Sequence, residues 1–288
     1  AYLYSLTAND NLDDMLGMTN FDVQEFTPDT MKITARIIDG PSNDAWIATD
    51  KLSATVSLRN MFGTPAQNRK ISARATLRPT QYSFDKFAGY QFTSNFISGT
   101  ELNSDTAIRT QTYSIELPET YTDNDGNAKL DIQFNRDIPF GTYTLTLNVQ
   151  GFESNSGRSV QTAITARASD AKYLIGWRAN GNLAYINRNA TRKINFVAVD
   201  SNATPISVND LTMRVMRREN QTTLVKDYNN YYKYQTTTRD KIVSERKINI
   251  SDNGTDITLD TTTGGTYFVQ ILDASGKILA NAEYYVAA

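Results

Sequence analysis

Residues able to do chemistry are few in this chain, and the gaps are informative. No histidine and no cysteine occurs among its 288 residues. Without an imidazole there is no Ser-His-Asp or Cys-His group, and no side-chain base with an ordinary pKa near neutrality. With both residues absent, tetrahedral zinc, Fe–S ligation and disulfides are excluded. Carboxylates, Lys, Tyr and Ser/Thr remain. The carboxylates are scattered through turns, with no pair that spacing brings together, and there is no phosphate loop and no G-x-S-x-G elbow. The sequence therefore predicts no enzyme, no cofactor and no metal site.

Four constellations come closest to a site. Asp123-Asn124-Asp125-Gly126-Asn127 resembles the start of a calcium loop, but an EF-hand needs Glu at the twelfth position and Phe134 stands there, so a hairpin turn is the better reading. The run Tyr228-Asn229-Asn230-Tyr231-Tyr232-Lys233-Tyr234 is either a stacking platform for sugars or bases, or a strand with Tyr232 and Tyr234 on one face and Tyr231 on the other. The strand reading is favoured. Arg214, Arg217 and Arg218 form the one dense basic cluster. Alternation puts Arg214 and Arg218 on a solvated strand face, with Arg217 at the strand end, and an interdomain ion pair is the other use for them. Five N-x-S/T triplets, at Asn189, Asn202, Asn220, Asn249 and Asn253, are what chance yields in a chain rich in Asn and Thr.

The elements that must position these residues are strands. Tyr143, Leu145, Leu147 and Val149 alternate with Thr142, Thr144, Thr146 and Asn148. Leu52–Arg59, Ile71–Arg78 and Lys129–Phe134 repeat the pattern. Period two with one apolar face describes antiparallel strands between a core and water. No segment shows an apolar stripe of helical period and length. No apolar run approaches the ~18 residues that cross a bilayer as a helix. Lys+Arg 29 against Asp+Glu 31 leaves a charge of −2, which gives no basic footprint for nucleic acid. The chain starts at Ala1 without a leader-like segment and is read as processed or as cut from something larger.

Turn residues at Asp39-Gly40-Pro41, Gly63-Thr64-Pro65, Asn180-Gly181-Asn182, Asp252-Asn253-Gly254 and Ser275-Gly276 space the strands as in a sandwich. About seven strands precede Ser169 and about seven follow it. The expected fold is all-β, with tandem antiparallel β-sandwiches of the Ig or fibronectin kind. The units are 27–168 and 169–288, joined by the polar link Ala168–Lys172. Residues 1–26 are terminal strands, Ala1–Thr7 and Asn20–Glu25, of a preceding unit or linker. An internal echo supports tandem copies: Phe140-Gly141-Thr142-Tyr143 and Gly264-Gly265-Thr266-Tyr267 each follow a turn and a strand. Trp177, Trp46 and Phe152, large aromatics beside turns or the boundary, are the candidates for interdomain packing; the alternative is that each fills its own core.

Several stretches resemble one family, the bacterial alpha-2-macroglobulins. Phe21-Asp22-Val23-Gln24-Glu25-Phe26-Thr27-Pro28 resembles the F-x-V-x-E-F-x-P linker between macroglobulin-like domains. Phe62-Gly63-Thr64-Pro65-Ala66 resembles a Y/F-G-x-P-A turn, and Gly151-Phe152-Glu153 with Gly157-Arg158-Ser159-Val160 a G-F-E…G-R-S-V hairpin. Tyr173-Leu174-Ile175-Gly176-Trp177, Asn180-Gly181-Asn182-Leu183 and Tyr185-Ile186-Asn187 resemble the opening of the next domain. The matches run in order through most of the chain.

The resemblance implies a periplasmic protein, anchored to the inner membrane by a lipid, that traps proteases. Cleavage of a bait segment triggers collapse and releases a Cys-Gln thioester that captures the prey. A chain without cysteine cannot hold that thioester, and no long bait-like segment is evident, so scaffold domains upstream of the bait are expected. The implied partners are host or competitor proteases, neighbouring macroglobulin-like domains and, by family analogy, a peptidoglycan-synthesising penicillin-binding protein. The alternative function is an adhesin-like or carbohydrate-binding sandwich array, resting on the Tyr228–Tyr234 cluster.

Overall fold

A computed structural model describes residues 2–7 and 15–21, as backbone, together with 30–38, 40, 45–92, 111–154, 157–226 and 231–288. It is all-β, in antiparallel sheets. At the start, β1 (Tyr2–Thr7) pairs with β2 (Met15–Phe21) in a two-stranded hairpin. The second arm thus begins at Met15 rather than Asn20. Leu16-Gly17, expected to be connector, lies inside it, with Gly17 opposite Leu6 beside a break in register. A glycine at a bulge reads in sequence like a turn, which explains the misplacement. The rest of the expected strand Asn20–Glu25, residues 22–25, lies outside the described residues.

The first sandwich faces two sheets together. One is β3 (Met31–Ile37), β4 (Ser53–Asn60) and β8 (Asn127–Asp131), in the order β3-β4-β8. The other is built from β5 (Lys70–Pro79), β6 (Tyr113–Glu116), β7 (Thr120–Tyr121), β9 (Tyr143–Phe152) and β10 (Ser159–Ala168), in the order β10-β9-β5-β6 with β7 also on β5. The period-two residues point as the sequence requires. Ala54, Val56 and Leu58 meet Ala73, Ala75, Leu77, Leu145, Leu147 and Val149 in one core. The calcium-like stretch is a turn, in which the Asp123 carboxylate accepts hydrogen bonds from the backbone N–H groups of Asp125 and Asn127. Gly126, at φ 73°, supplies the left-handed residue.

The second sandwich pairs a sheet of β11 (Tyr173–Ala179), β12 (Lys193–Asp200) and β15 (Thr255–Thr258) with a sheet ordered β14-β13-β16-β17. These last are β13 (Val208–Lys226), β14 (Tyr232–Ile250), β16 (Gly265–Leu272) and β17 (Ile278–Val286). Its core runs from Ile175 to Val286. The internal echo has a structural counterpart. Tyr143 opens β9 and donates its hydroxyl to the Pro139 carbonyl at 2.6 Å; Tyr267, at the start of β16, donates to the Thr263 carbonyl at 3.0 Å. Each tyrosine closes its own entry loop onto the fourth residue upstream.

Candidate functional site at the joint between the sandwiches

β11 and β12 break the rule that one face of a strand meets water. Ile175 and Trp177, with Ile194, Phe196 and Ala198, point into the second core. Leu174, Val197 and Val199 point the other way and are equally buried, in a separate cluster with Trp46, Tyr82, Phe84, Phe92, Ala171 and Ala203. The cover comes from the first sandwich. Residues 82–92, Tyr-Ser-Phe-Asp-Lys-Phe-Ala-Gly-Tyr-Gln-Phe, leave β5 and lay five aromatic rings over the outer face of the β11–β12 sheet. The rings meet edge to face: Phe84 and Phe92 have centroids 4.7 Å apart, and Phe84 also abuts Phe87 and Tyr82. That geometry sets each positive ring edge against a negative ring face, adding to plain burial.

Polar atoms at the joint are matched. The buried Tyr82 hydroxyl donates to two carbonyls, Tyr143 at 2.7 Å and Ala168 at 2.9 Å. Burial holds its pKa far above the usual tyrosine range, against the lowering effect of the Tyr143 backbone N–H, which donates to the hydroxyl at 3.3 Å, and of Arg167. Trp46 donates its indole N–H to the Ala171 carbonyl at 2.9 Å and its backbone N–H to the Ser201 carbonyl at 3.0 Å. Tyr90 donates its hydroxyl to Asn195 Oδ1 at 2.7 Å, and Arg178 stacks on the Tyr90 ring at 4.6 Å. Gln91 and Trp177 exchange both backbone hydrogen bonds, 2.8 and 3.0 Å, so the aromatic segment adds one residue of strand to the edge of β11.

The link between the sandwiches is clamped as well. Ala168, Ser169 and Ala171 are buried. Ser169 donates its hydroxyl to the Gly141 carbonyl at 2.6 Å, and the Asp170 carboxylate accepts from the Thr49 backbone N–H at 2.8 Å and hydroxyl at 2.6 Å. The short polar link is thus clamped onto the first sandwich at Gly141 and Thr49.

The three aromatics singled out from sequence go to different places. Trp46 sits in the joint cluster, its ring 6.2 Å from Tyr82 and 6.3 Å from Phe84. Trp177 turns its ring into the second core and meets the first sandwich through its backbone. Phe152 ends β9, nine residues from Tyr143 at the joint, which is ~30 Å along an extended strand. Its ring lies half-buried under the Lys70 ammonium at 5.4 Å. The five rings of 82–92 went unremarked in the sequence, although five aromatics in eleven residues is a signal. So are the unbroken apolar runs of β11 and β12, which mark a sheet buried on both faces.

Residues 38–169 match the family model described as the bacterial alpha-2-macroglobulin MG5 domain, and residues 176–287 match bacterial macroglobulin domain 6. The chain belongs to the bacterial alpha-2-macroglobulins. An alpha-2-macroglobulin homolog of Yersinia pestis is 35% identical over 288 residues, 99% of this chain and 14% of that protein. The chain thus spans about a seventh of that relative's length. Among solved structures, the native conformation of Escherichia coli alpha-2-macroglobulin aligns over 99% of this chain and 18% of that one, with TM-score 0.58 at 15% identity. Trypsin-activated alpha-2-macroglobulin from the same organism aligns over 100% and 18%, with TM-score 0.57 at 14% identity. These two likenesses are of fold.

Elsewhere in these macroglobulin sandwiches the remaining sequence candidates resolve into local contacts. Arg214 pairs with Glu245 at 2.8 Å and Arg218 with Asp240 at 3.1 Å, both across β13 and β14. Arg218 also stacks on Phe268, and Arg217 lies over Tyr267 while donating to the Gly264 carbonyl at 2.8 Å. Arg217 does not end the strand, because β13 continues to Lys226. Tyr231, Tyr232 and Tyr234 are exposed; Tyr228 to Asn230 lie outside the described residues. A cleft of about 460 Å³ opens beside the link, lined by Asp170, Asp210, Asp273, Lys172, Lys277 and Tyr173 among others. Among the described residues no three acidic groups come close enough to hold a metal ion.

Proposed function

We propose that this chain is a non-catalytic pair of scaffold modules, 27–168 and 169–288, in a protease-trapping macroglobulin, with residues 1–26 belonging to the module before. Its part is to fix the angle between two consecutive modules. One observation carries this: the β11–β12 sheet is sealed on its outer face by rings from the preceding sandwich. Opening the joint would expose Phe92, Val199 and the Tyr82 hydroxyl together, and burying them again is worth ~25 cal/mol per Å² of apolar surface. A strut of this kind transmits movement as a rigid body instead of bending.

Protease trapping is supported by the family and by the activation of an aligned relative by trypsin, as its description states. With no cysteine in the chain, the thioester lies elsewhere in the full-length protein, as does the bait. The same reading puts that protein in the periplasm on a lipid anchor, near a penicillin-binding protein; cell fractionation and affinity capture test both. The deciding experiment incubates the full-length protein with trypsin and compares hydrolysis of a large protein substrate with that of a small peptide. Trapping predicts loss of the first and survival of the second. Equal rates on both substrates, with and without the protein, would overturn the reading.

A further inference from the structure

β13 and β14 are each 19 residues long, but only Thr212–Arg217 of β13 pairs with β16. Beyond Arg217, among the described residues, the two strands pair only with each other, from Arg218↔Asp240 to Lys226↔Tyr232. This two-stranded ribbon stands ~27 Å clear of the sheet at ~3.4 Å per residue. Glu219–Leu224 and Tyr232–Arg239 are exposed, so neither face has a cover among the described residues. A lone two-stranded hairpin is marginal in water, and a long uncovered edge invites pairing. The distal end carries Leu224 opposite Tyr234 and Lys226 opposite Tyr232, with the two tyrosines 78% and 65% exposed. Large rings with polar tips, standing out on a rigid arm, have the composition of an interface anchor.

Two further observations say what would cover it. The ribbon runs past the start of β16, and Gly265 of β16 pairs with Val286 at the end of β17. The chain therefore leaves the sandwich at the same end, two strand spacings or ~10 Å from the base of the ribbon. The exposed rings of Tyr185 and Tyr285, 6.3 Å apart, stand at that end too. Charge adds little to this: residues 218–240 hold four Lys/Arg against three Asp/Glu, so the position of the arm and its exposed rings carry the argument.

We propose that this ribbon is a docking arm, and that Leu224, Tyr232 and Tyr234 seat on a partly apolar face of the segment that follows residue 288 in the full-length polypeptide. This goes beyond the scaffold reading and does not depend on protease trapping.

The test places the photo-crosslinking residue p-benzoylphenylalanine at Tyr234 in the full-length protein, made as a mixture of ¹⁴N and ¹⁵N copies. Mapped crosslinks are expected to join position 234 to a peptide beyond residue 288, in isotopically pure pairs. Mixed-isotope pairs would reveal a second copy as the occupant and overturn the proposal. Crosslinks confined to residues 1–288, or none, would overturn it equally. As a second measurement, amide exchange at 219–224 and 235–239 should accelerate severalfold in Tyr232→Ser/Tyr234→Ser while exchange in β11 and β12 stays unchanged. No acceleration at the ribbon would mean that these rings hold nothing.

Discussion

Phe92 occupies the space that a side chain at position 176 would need. A Cβ on Gly176 would come within 2.5 Å of the Phe92 Cζ and 2.7 Å of its Cε1, closer than such atoms approach. The contact joins the first sandwich to the second, and only a bare Cα allows it. Gly176→Ala should therefore destabilise the chain by about 1–3 kcal/mol through overpacking. Chemical denaturation reads the loss. Phe92→Leu in the same chain should recover part of it, because the two positions share one space and their effects are not additive. Additive losses would show that ring and glycine are independent.

The two tryptophans should separate by what their loss disturbs. Trp46→Phe leaves the buried Ala171 carbonyl without its indole donor, at a cost of about 1–3 kcal/mol. Trp177→Ala empties part of the second core and should cost about 3–5 kcal/mol. Small-angle scattering of Trp177→Ala should match the parent below its melting point, since the ring packs in the second core and the Gln91 pairing runs through the backbone. A changed scattering curve at full folding would mean that the indole holds the angle between the sandwiches.

Tyr82 should make the joint sensitive to alkali. Its hydroxyl is buried, so the folded pKa lies above the unfolded value of 10.0. Above about pH 10 the unfolded chain loses this proton while the folded chain keeps it. The folded state then binds more protons, and stability falls as pH rises through that point. Tyr284, raised mainly by burial and further by Tyr267 and Asp260, acts in the same sense. Tyr82→Phe should flatten the decline of denaturation midpoint between pH 9.5 and 11 but not abolish it, with those pH limits set around the reference value of about 10. An unchanged slope would show that Tyr82 ionises as readily folded as unfolded.

Tyr143 and Tyr267 should behave as equivalents. Each donates to a carbonyl four residues upstream, so Tyr143→Phe and Tyr267→Phe should each cost about 0.5–1.5 kcal/mol. The larger effect is expected at Tyr143, where the bond is shorter. Differential calorimetry on the two variants decides it.

Much of this protein was legible before any coordinates. Alternation in Thr142–Val149 or Leu52–Arg59 requires a two-faced strand, because successive side chains leave a pleated backbone on opposite sides. The ordered match to a family, from Phe21 to Asn187, was equally a property of sequence. The missing His and Cys were legible there too, and they exclude disulfides and any imidazole or thiolate chemistry in this chain.

What the tertiary structure decided was which sides of these strands never see water. Nothing local in Leu174 or Val197 says that a ring from residue 92 lies above it. That contact spans some eighty to one hundred residues and exists only once both sandwiches have formed. The same holds for Ser169 and Asp170, polar residues that read as a loose link until Gly141 and Thr49 close on them. It holds again for β13, whose pattern stops at Arg218 as a buried strand but continues for eight more residues in the fold. Periodicity records burial against a core, and a ribbon with two exposed faces leaves no such record. Sequence determined the strands and their faces; packing between distant segments decided the joint and the arm.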